Sequence, residues 1–480
     1  MIVNPVIEKI CIQCVFITQN EANHLEGFAS ASLLSTAKLN LQEFSCQKDS
    51  FTILHSKIKV YFLILISTTL KEKVQVCEAR KKTQKWGIKM EFEFTKEQSE
   101  IKRASREFAE KEFTPEKGRE YDQKYEFPWE FYQKAGKLGF IGASFPEKYG
   151  GQGLGCIEAC IIAEEFYRVD PTLAALLSGV GFAGLIELYG TEEQKEKYIP
   201  RLCRGEIVCA MGLTEPKHGS DAGTIGLDTT AVKDGDCWKI NGTKTFITCG
   251  DIAEFTMVCC QTDPNASPPY RGVSQIIVEK GTPGFEATHL RPKMGFRSAP
   301  TAELSFSDVR VPLSNLLGQE NRGFHQIMSY FDFSRTPIAA SAVGIAQGAF
   351  ERALKYSTER EQFFTPVHRF QFTQWKIAEM AMKIEAARLL TYKTAWLIDS
   401  KRDPKMITRY ASMAKAYAAK TAIEVTNEAM QIYGGYGYVD SDLERFYRDA
   451  RILDIIEGTG EIQRYIVARE CYREANLPLP

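Results

Sequence analysis

The sequence predicts a mainly α-helical protein with a β domain set in its middle, and three observations predict it. Capping boxes mark helix starts in the first patterned third, tight-turn dipeptides and β-forming runs crowd residues 208–312, and long helical periods return from residue 323. The expected organisation is an extension over residues 1–89, an N-terminal helical domain over 90–207, a small β-barrel or sandwich over 208–320 and a C-terminal helical bundle over 321–480. At about 150 residues per domain, a chain of 480 suits roughly three domains.

In chain order, Thr95 with Gln98 and Thr191 with Gln194 each fit a capping box, in which hydroxyl and amide satisfy opposite backbone donors at a helix start. Between them a glycine-rich stretch, residues 147–155, follows no strand and reads as a turn between helices rather than a phosphate cradle. The apolar run after it, residues 156–167, spaces its acids as one exposed helix face. In the β block, Asp234-Gly235 and Asn241-Gly242 signal tight turns, and residues 238–240, 244–248, 255–260 and 275–278 are rich in strand formers. Pro-rich residues 263–269 read as an exposed loop. Beyond them, residues 372–399 and 405–433 are long helical segments, broken by Asp403-Pro404 and Gly434-Gly435, which pack naturally as an antiparallel bundle. No period of the solenoid kind is present.

A hydrophobic fraction of 44%, 25% charged residues and a formal charge of -1 give no electrostatic footprint for nucleic acid. The thirteen cysteines lack paired metal spacing, and the lone Cys11/Cys14 pair has no second CxxC or His pair near it. Free thiols in a reducing compartment, the cytoplasm, are expected, with no metal site. Ferritin-like metal binding needs Glu-x-x-His pairs on bundle helices. The pairs present, Glu21/His24, Glu215/His218 and Glu286/His289, all lie elsewhere. In the extension the longest apolar run, residues 60–66, is far shorter than the roughly 20 residues a bilayer requires, so no transmembrane segment is expected. Acids such as Glu8 and Glu21 argue against a transit peptide, and Met90, where patterning begins, is a candidate natural start.

Two stretches carry chemistry. In the first, Ile452, Leu453, Ile455 and Ile456 lead to Glu457, followed by Gly458-Thr459-Gly460 and a new helix through Glu461, Gln463 and Arg464. An acid among apolar neighbours has its charged form disfavoured, which raises its pKa towards the range of a general base. The plainer reading is that Glu457 complements a helix start. In the second, Leu213-Thr214-Glu215-Pro216 runs into Gly219-Ser220-Asp221, which gathers hydroxyls and backbone N–H groups as a phosphate-bearing ligand needs; an ordinary pair of turns would look the same.

Taken with Phe246-Ile247-Thr248, Phe331-Asp332-x-x-Arg335, Glu359-Arg360-x-x-Phe363, Phe370-Gln371, Gln431 through Gly437 and Glu457-Gly458-Thr459, these stretches closely resemble the acyl-CoA dehydrogenase family from about residue 90 to 477. The resemblance implies a helical domain, a β domain and a four-helix bundle with FAD between them and across a subunit contact in a homotetramer. It implies that Leu213, Thr214, Gly219, Ser220, Phe246, Thr248, Thr459 and Glu461 serve the flavin. Arg360, Gln371, Gln431 and Gly435 would reach the FAD of a neighbouring subunit, where a guanidinium suits pyrophosphate. Ser220, Asp332, Arg335 and Gly458 would contact the acyl-CoA, and Glu457 would be the catalytic base. In the implied reaction the base takes the α-proton of a thioester, the β-hydrogen leaves as hydride to the flavin, and the enoyl-CoA results.

Some relatives place the base just before the arginine of the Phe-Asp-x-x-Arg element, but that position here is Ser334, which cannot serve. The sequence departs from the family pattern at Phe246, Phe364, Ile456 and Gly460, which bears on the shape of the substrate slot. The resemblance implies that residues 177–184 line the acyl tail; being small and apolar without acid or arginine, they then suit a short, branched or alicyclic uncharged acyl group. Electron-transferring flavoprotein is the expected acceptor. An oxidase or monooxygenase of the same fold, and a helical scaffold without FAD, are the alternatives.

Overall fold

The computed structural model describes residues 93–439 and 441–477. The extension, Met90 and the Cys11/Cys14 pair lie outside the described residues. Helices α1 (Lys96–Glu112), α2 (Pro115–Lys124), α3 (Trp129–Lys137), α4 (Cys156–Val169) and α5 (Glu192–Cys203) form the first block. Both expected capping boxes are made: Thr95 Oγ1 accepts from the Gln98 N–H and Thr191 Oγ1 from the Gln194 N–H, with each glutamine side chain accepting from its threonine N–H. Phe108, Phe113, Phe131 and Phe166 bury their rings against one another at the centre of the block. Each such ring contributes about 1.5–3 kcal/mol by leaving water.

The acids of α4 are not an exposed face. Glu164 and Glu165 are buried, Glu164 accepting from Arg388 Nε and Tyr392 Oη and Glu165 pairing with Arg106. Apolar spacing identified the helix, but α4 is covered on both sides, and half-buried arginines from other helices replace solvent for its carboxylates.

Strands β1 (Cys209–Gly212), β2 (Thr230–Asp234), β3 (Cys237–Thr248), β4 (Phe255–Gln261), β5 (Val273–Glu279), β6 (Phe285–His289), β7 (Thr301–Pro312) and β8 (Leu316–Leu317) form one sheet in the order β6-β7-β3-β2-β4-β5-β8, with β1 beside β4. Pairing is antiparallel except for β1 with β4 and the single Thr230/Gln261 pair joining β2 to β4, so two four-stranded halves meet at that point. Asp234-Gly235 lies at the β2–β3 hairpin turn. Asn241-Gly242 does not turn the chain; it is an irregularity inside β3, where the Asn241 side chain bonds Asp308. A tight-turn dipeptide and a bulge ask for the same backbone freedom, and only the partner strand distinguishes them.

Helices α6 (Gly323–Glu359), α7 (Gln371–Asp399) and α8 (Pro404–Tyr433) make up the long part of the bundle, completed by α9 (Leu443–Ala450) and α10 (Gly460–Glu474). Alanines line the buried faces of α6 and α8, among them Ala339, Ala346, Ala414, Ala418 and Ala422, which lets these helices pack closely. Residues Pro171–Tyr189 are apolar and long enough to cross a membrane by composition alone. They are divided between two short helices and a 3-10 turn, and half of the stretch is buried inside the fold.

Candidate functional site

The chain leaves α9, makes a 3-10 turn over Arg451–Asp454 and reaches Glu457 and Gly458 in left-handed backbone, with φ of 58° and 90°. Thr459 then caps α10, its hydroxyl accepting from the Ile462 N–H at 3.3 Å. Left-handed backbone is unfavourable for a glutamate, so something must hold it. Three donors do. Arg335 Nε bonds the Glu457 carbonyl at 3.0 Å, Gln463 Nε2 bonds the Glu457 and Gly458 carbonyls at 2.9 and 3.0 Å, and Lys415 Nζ bonds the Gly458 carbonyl at 2.8 Å.

The carboxylate is held separately, with Ser334 Oγ donating to Glu457 Oε2 at 2.8 Å. Leu453, Ile452 and Ile456, just before it in the chain, pack into the core. Burial raises the Glu457 carboxyl above its ordinary value, and the Ser334 hydrogen bond and the charges of Arg335 and Lys415 oppose that rise. The product is a carboxylate in apolar surroundings, with a proton affinity above that of a surface glutamate.

Behind it, the Tyr330 hydroxyl donates to the Gly181 carbonyl at 2.8 Å, and Phe182 faces both Tyr330 and Phe331. Gly184 permits this approach, since a Cβ there would lie 2.4 Å from the Tyr330 ring. Asp332 accepts from Thr408 Oγ1 at 2.6 Å and lies 3.9 Å from Arg335; burial pushes its carboxyl up to about 6. Arg335 is itself buried, over the Phe331 ring, and its described bonds run to the base loop.

The Leu213–Asp221 loop is tied down by a buried pair that sequence reading passed over. Lys244 Nζ meets Glu215 Oε1 at 2.7 Å and the Leu213 carbonyl at 3.2 Å, while Glu215 also accepts from the Asp228 and Thr229 N–H groups. Glu215, His218 and Asp228 gather ligand atoms within 4.8 Å of one another, yet the oxygens of Glu215 are already engaged by Lys244 and the backbone. The Thr214 carbonyl accepts from the Thr245 N–H. One residue on, β3 is irregular and Phe246 adopts φ 58°, which turns its ring outward to 70% exposure, with Thr248 two residues beyond it. Gly219 and Ser220 are exposed, and the Gly219 N–H bonds Asp221 Oδ1 at 3.0 Å.

At the far end of the bundle, Arg360 follows α6 and lies over the Tyr436 ring, next to exposed Gly435. Gln431 lines a cavity of about 300 Å³ with Phe363, Phe370, Phe372 and Lys376. Gln371 stands between two of these residues at the start of α7. Phe363 is 86% exposed and Phe372 77%.

The expected residues thus fall into three groups. Glu457, Gly458, Thr459, Glu461, Asp332 and Arg335 meet at the base loop; Leu213, Thr214, Gly219, Ser220, Phe246 and Thr248 gather around the β-domain loop; Arg360, Gln371, Gln431 and Gly435 share the bundle end. Ser334 was recognised only as unable to be the base, and the sequence assigned no site role to Lys415, Gln463, Glu215 or Lys244. Lys415 did leave a signal: it is a charge in phase with the buried alanines Ala411, Ala418 and Ala422 of α8.

Comparison with known proteins gives this arrangement a lineage. Residues 95–206, 210–309 and 321–472 match the acyl-CoA dehydrogenase N-terminal, middle and C-terminal domains. The chain is 44% identical over 386 residues to acryloyl-CoA reductase (NADH) of Anaerotignum propionicum, covering 80% of this chain and 96% of that one. Among solved structures, butyryl-CoA dehydrogenase from Megasphaera elsdenii superposes with a TM-score of 0.74 at 39% identity, over 79% of this chain and 99% of the other. A chain solved in work on the electron transferring flavoprotein of Acidaminococcus fermentans and flavin-based electron bifurcation matches with a TM-score of 0.76 at 43% identity, over 80% and 100%. With all three domains matched in order and relatives of this similarity covered almost end to end, the chain belongs to the acyl-CoA dehydrogenase family of FAD-dependent oxidoreductases.

Proposed function

We propose that this enzyme dehydrogenates a short, uncharged acyl-CoA thioester at its α,β carbons, with Glu457 as the base. The observation that carries the reading is the Glu457 carboxylate, raised in pKa by burial and held by Ser334 beside an aromatic wall. A thioester carbonyl acidifies the α-hydrogen, and a raised carboxylate matches that task better than a surface one. Glu457 Oε2 is taken by Ser334, so Oε1 is the oxygen free to accept the proton.

Residues of this chain fit FAD by their chemistry. The outward Phe246 ring, with Thr214 and Thr248 beside it, offers a flat apolar contact and hydroxyls to a ring system. The bound flavin supplies the acceptor for the β-hydrogen as hydride. Arg360, Gln371, Gln431 and Gly435 would serve the FAD of a neighbouring copy, which the exposed Phe363 and Phe372 beside them support, as does the expectation of a homotetramer. Ser220 would sit towards pyrophosphate and acyl-CoA, and Asp332 and Arg335 would support the base loop. Domain limits at 90–207, 208–320 and 321–480 and a cytoplasmic location belong to the same reading.

A short acyl group is supported by Tyr330, which fills the space against Gly184 behind the base, and by relatives named for acryloyl- and butyryl-CoA. Electrons would pass to electron-transferring flavoprotein, in keeping with the bifurcation-related structure. The reductase name of one relative favours a second reading, the same proton and hydride moves run backwards on an enoyl-CoA.

Anaerobic mixing of purified enzyme with thioesters of graded length, followed by flavin absorbance, tests this. Short thioesters should bleach the flavin, and Glu457→Gln should keep its yellow colour while bleaching about 10²–10⁴-fold more slowly. Bleaching by Glu457→Gln at the wild-type rate would put the base elsewhere. Bleaching only by long or dicarboxylic thioesters would overturn the substrate class.

A further inference from the structure

Two described lysines have no exposed surface at all, Lys244 and Lys415, and they differ in one respect. Lys244 is paired with the Glu215 carboxylate at 2.7 Å. Among the described residues Lys415 donates to a single acceptor, the Gly458 carbonyl, and no carboxylate lies within ion-pair distance of it. Its neighbours on the same face of α8 are alanines, so an apolar residue would fit the position. A buried ammonium without a paired carboxylate is costly, and its retention calls for a role.

The charged groups facing Lys415 come from four elements: Asp454 on the 3-10 turn, Glu457 on the base loop, Arg335 on α6 and Glu461 on α10. Glu457 in turn faces Ser334 and Arg335 on α6 and Lys415 on α8, and Tyr330 feels its charge. Both cations bond peptide carbonyls of the base loop and neither bonds the carboxylate. They therefore favour the charged form of Glu457 without occupying the oxygen that must take the proton.

We infer that Lys415 is a positioning residue for the base: its ammonium, anchored on the Gly458 carbonyl, holds the Glu457 loop in its left-handed conformation and keeps the carboxylate ionised in an apolar slot. This rests on the reading of Glu457 as the base. Burial lowers Lys415 to about 8, so it still carries its charge for most molecules at neutral pH. Removing the charge should raise the Glu457 pKa, because a carboxylate losing a nearby cation is easier to protonate. The acid limb of the rate profile, where activity falls as the base is protonated, should then move to higher pH.

The test compares pH profiles of flavin bleaching for holoenzyme variants. Lys415→Met should shift the acid limb upward by about one pH unit and slow bleaching near neutrality by about tenfold, with FAD content unchanged. Lys415→Gln retains a donor for Gly458 but no charge; it should share the shift and lose less rate. Lys415→Arg should leave the limb in place, which keeps the proposal testable if the methionine variant folds poorly. In a Glu457→Gln background, Lys415→Met should add no further loss, since it acts through the missing group. An unmoved acid limb in both neutral variants, or an undiminished extra loss in that background, would overturn the inference alone. Wild-type bleaching by Glu457→Gln would instead remove the base reading and the inference with it.

Discussion

The base loop and the far end of the bundle are built on opposite terms. Around Glu457 every constraint comes from within the chain: Ser334 on the carboxylate, and Arg335, Gln463 and Lys415 on the two carbonyls that follow. At Arg360, Gln371 and Gln431 the polar groups stand beside phenylalanines that the single chain leaves in water. Proton transfer needs a geometry set to fractions of an ångström, which a single rigid fold delivers, whereas gripping the far end of a long cofactor tolerates a second surface. The first region is held from within the chain, and under the proposed function the second would be a half-site.

Three substitutions sharpen that contrast, in descending order of expected effect. Gly458→Ala attacks the complete region. It forces an alanine to φ 90° and sets a Cβ 2.6 Å from Gln463 Nε2, so the clamp must give. Bleaching should slow by about 10²-fold with FAD retained, the scale of misplacing a reacting group by about 1 Å. Unchanged kinetics would mean that the left-handed backbone is incidental.

Arg360→Met attacks the half-site, and its effect should appear in cofactor retention rather than in chemistry. FAD should dissociate about tenfold more readily on dilution, as loss of a charge-assisted phosphate contact implies, and added FAD should restore the rate. A turnover defect that FAD does not repair would bring the two regions together.

Phe372→Ser should be the mildest for chemistry and the most visible in assembly. Removing an apolar ring from a 77% exposed position costs the folded monomer little, but it weakens any surface that buries the ring. Light scattering should show smaller particles, with bleaching altered by less than about threefold at saturating FAD. An unchanged mass would argue that this face remains uncovered.

Much of the fold was legible because it rests on local chemistry. Thr95 and Thr191 name helix starts through their own side chains, and the lengths of α7 and α8 follow from breakers and periodicity. Local reading went astray where a second element intervened. Asn241-Gly242 is a bulge because β7 pairs on both sides of it, and Glu164 and Glu165 are buried because Arg388 and Arg106 come to meet them from other helices.

The same division holds at the site. Spacing along the chain was enough to raise Glu457 as an acid in apolar company and to bring forward Thr214, Ser220, Phe246 and Arg360, since each belongs to a short motif whose chemistry is contained in neighbouring residues. The roles of Ser334, Lys415 and Gln463 could not be read that way. Ser334 lies 123 residues and Lys415 43 residues from the groups they hold, and each becomes meaningful only when α6, α8 and α10 converge on one loop. The sequence by itself determined most of the helices and strands and brought Glu457 forward as an acid among apolar neighbours. Tertiary packing alone decided which donors meet that acid and its backbone, because hydrogen bonds and fields act over a few ångströms of space whatever the separation along the chain.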